Sequence, residues 1–366
     1  MLIKEKYELK YLYLYFTGYC NLKCRHCWIN PGFSLEPEVN AHKHDDIGLP
    51  YLLKAIKDAK RLGLKTVKIT GGEPFLRKDI VQLLSWLKKN NIFTMLETNG
   101  TLIGVKEAKA IRDNSVKHVS VSVDGPDAST HERLRGVKGS FKKTIEGIKL
   151  IREYNPGLNL HVICCLWNGN KDRMNAMIDL CTALRVNLLK INPILSFSRA
   201  DSMKNTGELL TVKEILQIKK GMLAYLSGKG YERKLSLLYD IPPAFRSKDE
   251  LKMHKGVCAI KSTLGITGDG TISICGIGSL VEELAMGNVR DTDICNVWKS
   301  SKQLRLIREG VPNKLEGICA RCMMKHYCLG KCRAEAYWVY KSLLAPTAFC
   351  ELAHKQGLFP KSRLID

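Results

Sequence analysis

The sequence predicts an α/β protein: a parallel sheet covered by helices and curled toward a barrel, followed by a small cysteine-rich module. Three observations carry that expectation. Short apolar runs alternate with amphipathic stretches six times between residue 11 and about residue 192, the pattern of repeated β/α units. Cys20, Gly71 to Pro74, Thr98 to Gly100, Ser122 to Gly125 and Asn168 each fall just after an apolar run, and in a parallel barrel those strand ends share one face. Of the 14 cysteines, three lie near the start and seven are gathered into a pattern in the last third.

Taken in order, the apolar runs predict strands over Tyr11 to Phe16, Thr66 to Ile69, Ile92 to Glu97, Lys117 to Val123, Asn159 to Leu166 and Asn187 to Ile191. Helical periodicity fills the intervals at Leu49 to Leu62, Lys78 to Lys89, Val105 to Arg112, Ser140 to Glu153 and Lys171 to Leu184. Strands this apolar belong in a sheet buried on both faces. Alternation alone admits a doubly wound sheet or an open barrel, and the shared placement of polar residues at strand ends favours the barrel. Residues 193–257 carry Pro193, Gly207, Gly221, Gly228, Gly230 and Pro242-Pro243 around one helical stretch near Thr211 to Leu226, and read as a bridge. The expected division is therefore 1–192, 193–257 and 258–366.

With 366 residues and 45% hydrophobic content, the chain can bury a large core. Lys4, Glu5, Lys6, Glu8 and Lys10 precede the first apolar run, which is unlike a signal peptide, and no apolar run reaches the ~18 residues that a membrane span needs. A cytoplasmic protein without a membrane partner is expected. Fourteen cysteines in such a chain are too sparse for a disulfide scaffold, so metal or cluster ligation is the better account. The formal charge of +22 suggests acidic partners, nucleic acid among them. Yet Lys54, Lys57, Lys60 and Lys65 are spread as on solvated helix faces, and thiolates around clusters would remove part of the surplus, so nucleic acid is disfavoured.

Cys20, Cys24 and Cys27 form a C-x3-C-x2-C loop directly after the first apolar run. Three thiolates in one loop can grip three corners of an iron-sulfur cube and leave the fourth iron open to an outside ligand. The pair Cys24 and Cys27 alone would also suit half of a zinc site. Downstream stand Gly71-Gly72-Glu73-Pro74, then Glu97-Thr98-Asn99-Gly100, then Ser122-Val123-Asp124-Gly125-Pro126 and His131-Glu132-Arg133-Leu134-Arg135. This series resembles the radical S-adenosylmethionine (SAM) enzymes, which have a partial (β/α)6 TIM-like barrel. The resemblance implies that Cys20, Cys24 and Cys27 hold a [4Fe-4S] cluster whose open iron is chelated by SAM. It further implies that Gly71, Gly72 and Glu73 contact the SAM amino group, that the segment of Asn99 lies around the SAM ribose and carboxylate, that Ser122 bonds a ribose hydroxyl, and that Arg135 takes the carboxylate as a guanidinium fork can. His26 stands where the family usually has an aromatic ring over the adenine.

The second set runs Cys258, Cys275, Cys319-x2-Cys322-x5-Cys328-x3-Cys332-x17-Cys350. Its spacing resembles the SPASM domain, a small C-terminal iron-sulfur domain that carries auxiliary [4Fe-4S] clusters in many radical SAM enzymes. A zinc ribbon on Cys319, Cys322, Cys328 and Cys332 would leave Cys258, Cys275 and Cys350 without a role. Mapped by order, the resemblance implies one cluster on Cys319, Cys322, Cys328 and Cys350 and another on Cys258, Cys275 and Cys332. The latter has either an open iron or a further ligand such as Cys295. Cys164, Cys165, Cys181 and Cys295 are left over, and buried cysteine is common as an apolar filler. Strand alternation allows only one of Cys164 and Cys165 to face the barrel interior, where a thiol could donate a hydrogen atom as in epimerases of the superfamily.

The chemistry implied by the resemblance is reductive cleavage of SAM to a 5′-deoxyadenosyl radical that takes a hydrogen atom from substrate, with an external electron donor such as flavodoxin or ferredoxin. Relatives with this layout most often act on ribosomally made peptides by crosslinking, epimerisation or oxidation; a small molecule such as a tetrapyrrole or aminosugar is the alternative substrate, and a zinc-stabilised nucleic-acid-binding protein the remote one. Sulfatase-maturing relatives carry an aspartate base directly after the cysteine matched by Cys275, where this chain has Gly276. The stretch before Cys20 is too short for the leader-binding domain many peptide maturases carry, so a separate leader-binding protein is a possible partner.

Overall fold

The computed structural model describes residues 7–34, 46–196, 198–253 and 257–365; Lys4, Glu5 and Lys6 lie outside them. Its strands are β1 (Tyr11–Tyr15), β2 (Tyr19–Cys20), β3 (Gly32–Phe33), β4 (Thr66–Thr70), β5 (Phe93–Thr98), β6 (His118–Ser122), β7 (Asn159–Leu166), β8 (Leu188–Pro193), β9 (Ser236–Tyr239), β10 (Thr263–Ile266), β11 (Thr271–Ser273) and β12 (Ala285–Asn288). Ten of them form one sheet in the order β12-β11-β10-β1-β4-β5-β6-β7-β8-β9, while β2 and β3 pair separately. From β10 through β9 every pairing is parallel, and β11 and β12 append an antiparallel edge. Among the described residues the two ends of the sheet do not pair with each other. The architecture is thus an open, partial (β/α)6 barrel with a cysteine-rich domain attached.

All six expected strands form, with ends moved by one or two residues. Helices α1 (Leu49–Arg61), α2 (Ile80–Lys89), α3 (Val105–Asp113), α4 (Ala128–Arg135), α5 (Ser140–Tyr154) and α6 (Met174–Ala183) connect them. In α1 the buried residues Leu49, Leu52, Ala55, Ile56 and Ala59 repeat at three and four, so one stripe faces the sheet. Leu12, Leu14, Val67, Ile69, Leu96, Val119, Val121, Leu160 and Val162 form the sheet's side of that interface and are buried. Each such aliphatic side chain contributes about 1.5–3 kcal/mol when fully withdrawn from water. Among the described residues no helix is long and apolar enough to cross a membrane.

The sheet runs past residue 192 in both directions. β9, from the stretch read as a bridge, adds a strand parallel to β8, and β10, from the cysteine-rich part, pairs parallel with β1. Four residues, Ser236 to Tyr239, are too few to show a period. In β10 the apolar run is broken by Gly265, which the packing demands: a Cβ there would stand 2.6 Å from the Cys275 carbonyl carbon. On the β9 side, Phe245 meets Phe349 and Phe359 edge-on at 5.2 and 5.5 Å, so the cysteine-rich domain spans the gap between the two ends of the parallel array.

The alternate residues of the strands face the concave side and are largely polar, with Met95, Ile163 and Leu238 among them. Tyr13 lies beside Lys68 in register, and Glu97 beside Ser120 and then His161. Lys68 Nζ sits 2.6 Å from Glu97, and Lys190 Nζ 2.9 Å from Asp240, with these side chains still between 23% and 30% exposed. Groups set inside the curve of a sheet yet reached by solvent line a wet lumen.

Candidate functional site

The first cysteine loop leaves β2 at the mouth of the barrel. Cys20 and Cys24 are buried, Cys27 is half-buried, and the three pack together with Leu22 and Val137. Donors are aimed at the sulfurs: Leu22 N–H at 3.4 Å and the Asn99 side-chain amide at 3.8 Å from Cys20 Sγ, and Arg135 Nη1 at 3.6 Å from Cys24 Sγ. Burial pushes the Cys20 thiol up to about 12 and also raises Cys24, against which the Arg135 guanidinium acts. Buried thiols with N–H donors pointing at them fit a bound cluster, whose irons supply the positive charge that burial withholds. The loop is stitched to the end of α4 by Lys23 N–H to Arg135 O and Arg25 N–H to Leu134 O. Gly136, at φ +74°, lets the chain pass beneath the Lys23 carbonyl.

Gly71 and Gly72 are pressed against the strand that leads into this loop. Gly72 N–H donates to Thr17 O and Glu73 N–H to Tyr19 O, and a Cβ on Gly72 would overlap the Tyr19 carbonyl. The Glu73 side chain is fully buried and turned inward. Its carboxylate accepts from Thr98 Oγ1 (2.7 Å), Asn99 N–H (2.8 Å) and Phe75 N–H (3.2 Å). The Gly-Gly-Glu backbone therefore borders the mouth, while the glutamate ties it to the end of β5. Burial outweighs those donors and pushes the Glu73 carboxyl from 4.5 up to about 7.

A pKa raised on folding means stability that is full below about pH 4.5 and lost as pH rises through about 7, a total near 3 kcal/mol at 1.36 kcal/mol per unit. About 1 kcal/mol of it should fall between pH 6 and pH 8. Anaerobic denaturation of Glu73→Gln is expected to show that slope flattened, with lower stability overall because an amide N–H then faces Asn99 N–H. An unchanged slope would remove Glu73 as its source.

Arg135 is held on two sides. Its Nε lies 2.6 Å from Asp124 Oδ2, off the line of a hydrogen bond, and Asp124 Oδ1 accepts from Cys165 N–H at 2.8 Å. Arg135 holds the buried Asp124 carboxyl below its usual value against the opposing effect of burial. Asn170 completes the cradle by donating to Asp124 O and Cys165 O, whereas Asn168 is exposed. The sequence marks Asp124 only as part of its motif and gives neither it nor Asn170 a role, because each sits in an ordinary turn. Arg77 is a third such residue: fully buried, it donates to Phe16 O and Ile47 O and pairs with Asp79 at 2.6 Å, fixing the turn after Gly71 to Pro74 against β1. Ser122 ends β6 half-buried, and Asn99 is pinned to Asn21 Oδ1 at 2.8 Å. His26 lies among Asp124 and Arg135 with Nδ1 unpartnered, and burial lowers its pKa to about 4.

Cys164 and Cys165 part company as alternation requires. Cys164 is wholly buried behind the sheet near Cys181, and Cys165 is half-buried on the lumen side with Cys24 and Lys190 among its charged neighbours. Cys295 donates to Asp58 O of α1 at 3.7 Å, and its charged neighbours are Asp293, Asp58 and Arg61, so it stands apart from the other cysteines.

The remaining seven fall into two groups. Cys319, Cys322, Cys328 and Cys350 line one small apolar-walled cavity with Ala244 and Phe359. Burial raises Cys275, Cys332 and Cys258, and thiol repulsion adds to it: Cys258 acts on Cys275, and both of these act on Cys332. Backbone N–H groups again serve the sulfurs, from Met324 to Cys322 and Glu335 to Cys332, both at 3.4 Å. Arg333 is buried and has thiols of both groups, Cys319, Cys328 and Cys332, among its charged neighbours. Among the described residues no three His, Cys, Asp or Glu side chains close on a point as one metal ion would need, and a cube is wider than one ion.

Gly276 has a packing reason of its own. A Cβ there would lie inside the ring of Tyr15, the buried last residue of β1, whose edge also meets Trp28 at 5.2 Å. The ground beside Cys275 is thus filled by a phenol from another strand. Gly276→Asp is expected to displace Tyr15 and cost about 1–3 kcal/mol by overpacking, without creating sulfatase-maturing activity. Thermal denaturation and an assay on a sulfatase peptide check this, and a stable, active variant would refute it.

A partial parallel barrel with a cysteine triad at its mouth and a cysteine-rich domain across its gap defines a class of iron-sulfur enzyme. Residues 14–181 match the radical SAM superfamily, and residues 258–323 match the SPASM iron-sulfur cluster-binding domain. The chain belongs to the radical SAM superfamily and carries a SPASM domain. It is 25% identical over 347 residues to an AdoMet-dependent heme synthase of Oleidesulfovibrio alaskensis, covering 91% of this chain and 85% of that one. In structure it is similar to Streptococcus suis SuiB bound to precursor peptide SuiA, with TM-score 0.69, 19% identity and coverage of 94% and 76%. It is equally similar to anSMEcpe with bound AdoMet and the Kp18Cys peptide, at TM-score 0.70, 19% identity and 95% of both chains. Such an enzyme uses a SAM-binding [4Fe-4S] cluster and auxiliary clusters.

Proposed function

We propose that the chain is a radical SAM maturase of a ribosomally made peptide. When bound, the cluster on Cys20, Cys24 and Cys27 would supply reductive cleavage of SAM and a radical that takes hydrogen from substrate. Gly71 to Glu73, Asn99, Ser122 and Arg135 would hold SAM in place. Cys319, Cys322, Cys328 and Cys350 would hold one auxiliary cluster, and Cys258, Cys275 and Cys332 the other.

The observation that favours a peptide is the lumen wall. Lys68, Glu97, His161, Lys190 and Asp240 present hydrogen-bonding and charged groups along its length. The flat ring of a tetrapyrrole asks for apolar walls with polar groups only at its carboxylate edge, whereas a peptide backbone and its side chains can use polar groups along the whole wall. The peptides bound to SuiB and anSMEcpe agree with that reading. The heme synthase relative favours a tetrapyrrole as the second reading. An electron donor such as flavodoxin or ferredoxin, a separate leader-binding protein and a reducing cytoplasmic setting belong to the same proposal. Anaerobic incubation with SAM and reductant, offering peptides encoded beside the gene or iron-coproporphyrin III, tests it by mass spectrometry. A mass change confined to the porphyrin would overturn the peptide reading.

A further inference from the structure

Asp240, the residue after β9, is the meeting point of three cations. Lys190 Nζ lies 2.9 Å from Oδ2, Lys331 Nζ bonds Oδ1, and Arg246 Nη2 is 3.9 Å from Oδ1. Three positive groups against one carboxylate leave two charges in surplus. Glu97, whose charge also reaches Lys190, is already paired with Lys68 at 2.6 Å and offsets only part of that surplus. Arg246 sharpens the imbalance. Its side chain is 1% exposed, its Nε donates to Ile241 O, and neither Nη has a hydrogen-bond partner. A guanidinium buried with two unpaired nitrogens is costly unless further negative charge comes near.

The three groups differ in access. Arg246 is sealed behind Asp240, while Lys190 and Lys331 keep 30% and 19% of their side chains exposed. Lys190 belongs to β8 and is among the charged neighbours of Cys165, which in turn feels Cys24 of the first triad. Lys331 directly precedes Cys332 and acts on Cys258. Lys190 therefore lies on the lumen face of β8, in register with Ile163, and Lys331 lies beside the Cys258 group.

We propose that Lys190 and Lys331, backed by Arg246 across Asp240, form a seat for a carboxylate of the substrate. The seat rests on the reading that substrate occupies the lumen, and it gives that substrate a chemical class. It takes an acidic side chain or the C-terminus of a peptide, and equally a propionate of a tetrapyrrole. Both ammoniums would donate to the incoming carboxylate, which would also relieve the surplus that Asp240 leaves.

Titrating anaerobic, cluster-loaded, SAM-bound enzyme with glutarate, and with glutaramide as its neutral counterpart, tests the seat by calorimetry. Glutarate is expected to bind and glutaramide not, and Lys190→Met should weaken glutarate about tenfold, with Lys190→Arg restoring most of it. Affinity should also fall as salt rises. Equal binding of the two probes, or a Lys190→Met variant that binds glutarate as well as the parent, would overturn the proposal. If the cations only balance cluster thiolates, Lys190→Met shifts the visible spectrum and leaves glutarate affinity alone. Two further arms separate the seat from the peptide reading. A peptide offered with Glu or Gln at one position, and coproporphyrin III offered free or as its tetramethyl ester, show which carboxylate competes with glutarate. Competition by the porphyrin alone sinks the peptide reading and leaves the seat standing. A peptide modified equally well with Gln, together with no glutarate binding, does the reverse.

Discussion

Replacing Cys24 by alanine is expected to abolish SAM cleavage while leaving the fold and the C-terminal domain intact. With three clusters bound, iron should drop from about twelve to about eight per chain, since one [4Fe-4S] cube is lost. The reason for so large an effect lies in the loop. Cys20, Cys24 and Cys27 pack as one unit with Leu22 and Val137, and the donors from Leu22, Asn99 and Arg135 converge on two of the three sulfurs. Two thiolates cannot replace three around a cube that must keep one iron free. The barrel should survive because Arg135 keeps its ion pair with Asp124 and the backbone bonds of Lys23 and Arg25 to the end of α4 do not involve the sulfur. Iron analysis, the visible spectrum and deoxyadenosine release under strong reduction measure it. Cys181→Ala, changing a thiol behind the sheet, serves as the matched control and should retain both iron and cleavage. Full iron in Cys24→Ala, or zinc in the parent, would sink the assignment.

The barrel was legible because its strands are buried on the helix side. Leu12, Leu14, Val67, Ile69, Val119 and Val121 write the β/α rhythm into the sequence, and the cysteine spacings mark both iron-sulfur regions. Less visible were the residues that act at long range. Asp124 sits in an Asp-Gly-Pro turn, and nothing local shows that it pairs with Arg135 and accepts from Cys165. Glu73 was expected at the SAM amino group, and the structure turns its side chain into the wall of the barrel against Thr98 and Asn99. β9 and β10 were missed since one is four residues long and the other is interrupted by the glycine that Cys275 requires. Lys190, Asp240, Arg246 and Lys331 come from four separate segments and read singly as surface charge. Local patterns report a helix or a loop; a lumen is assembled only when distant strands curl together.

Cys332→Ala is expected to separate SAM cleavage from substrate turnover. Its half-buried thiol lies with those of Cys258 and Cys275 and caps the helix Arg333–Tyr340 by accepting from Glu335 N–H. Removing one of only three thiols should empty that site, taking about four irons, while Cys319, Cys322, Cys328 and Cys350 keep their shared cavity. The lost cap costs a further ~1 kcal/mol. The first triad takes its donors from Leu22, Asn99 and Arg135 and loses none of them, so deoxyadenosine release without substrate should persist near the parental rate. Product formation should fall to background, because Tyr13, Tyr15 and Lys331 all border the emptied site and shape the substrate's surroundings. Cys332→Ser distinguishes the cap from the ligand: a hydroxyl restores the bond from Glu335 N–H but grips iron poorly, so stability should recover and turnover should not. Parallel loss of cleavage and turnover in both variants would show instead that the two halves fold or load as one unit, and the division of the cysteines into separate groups would then fail.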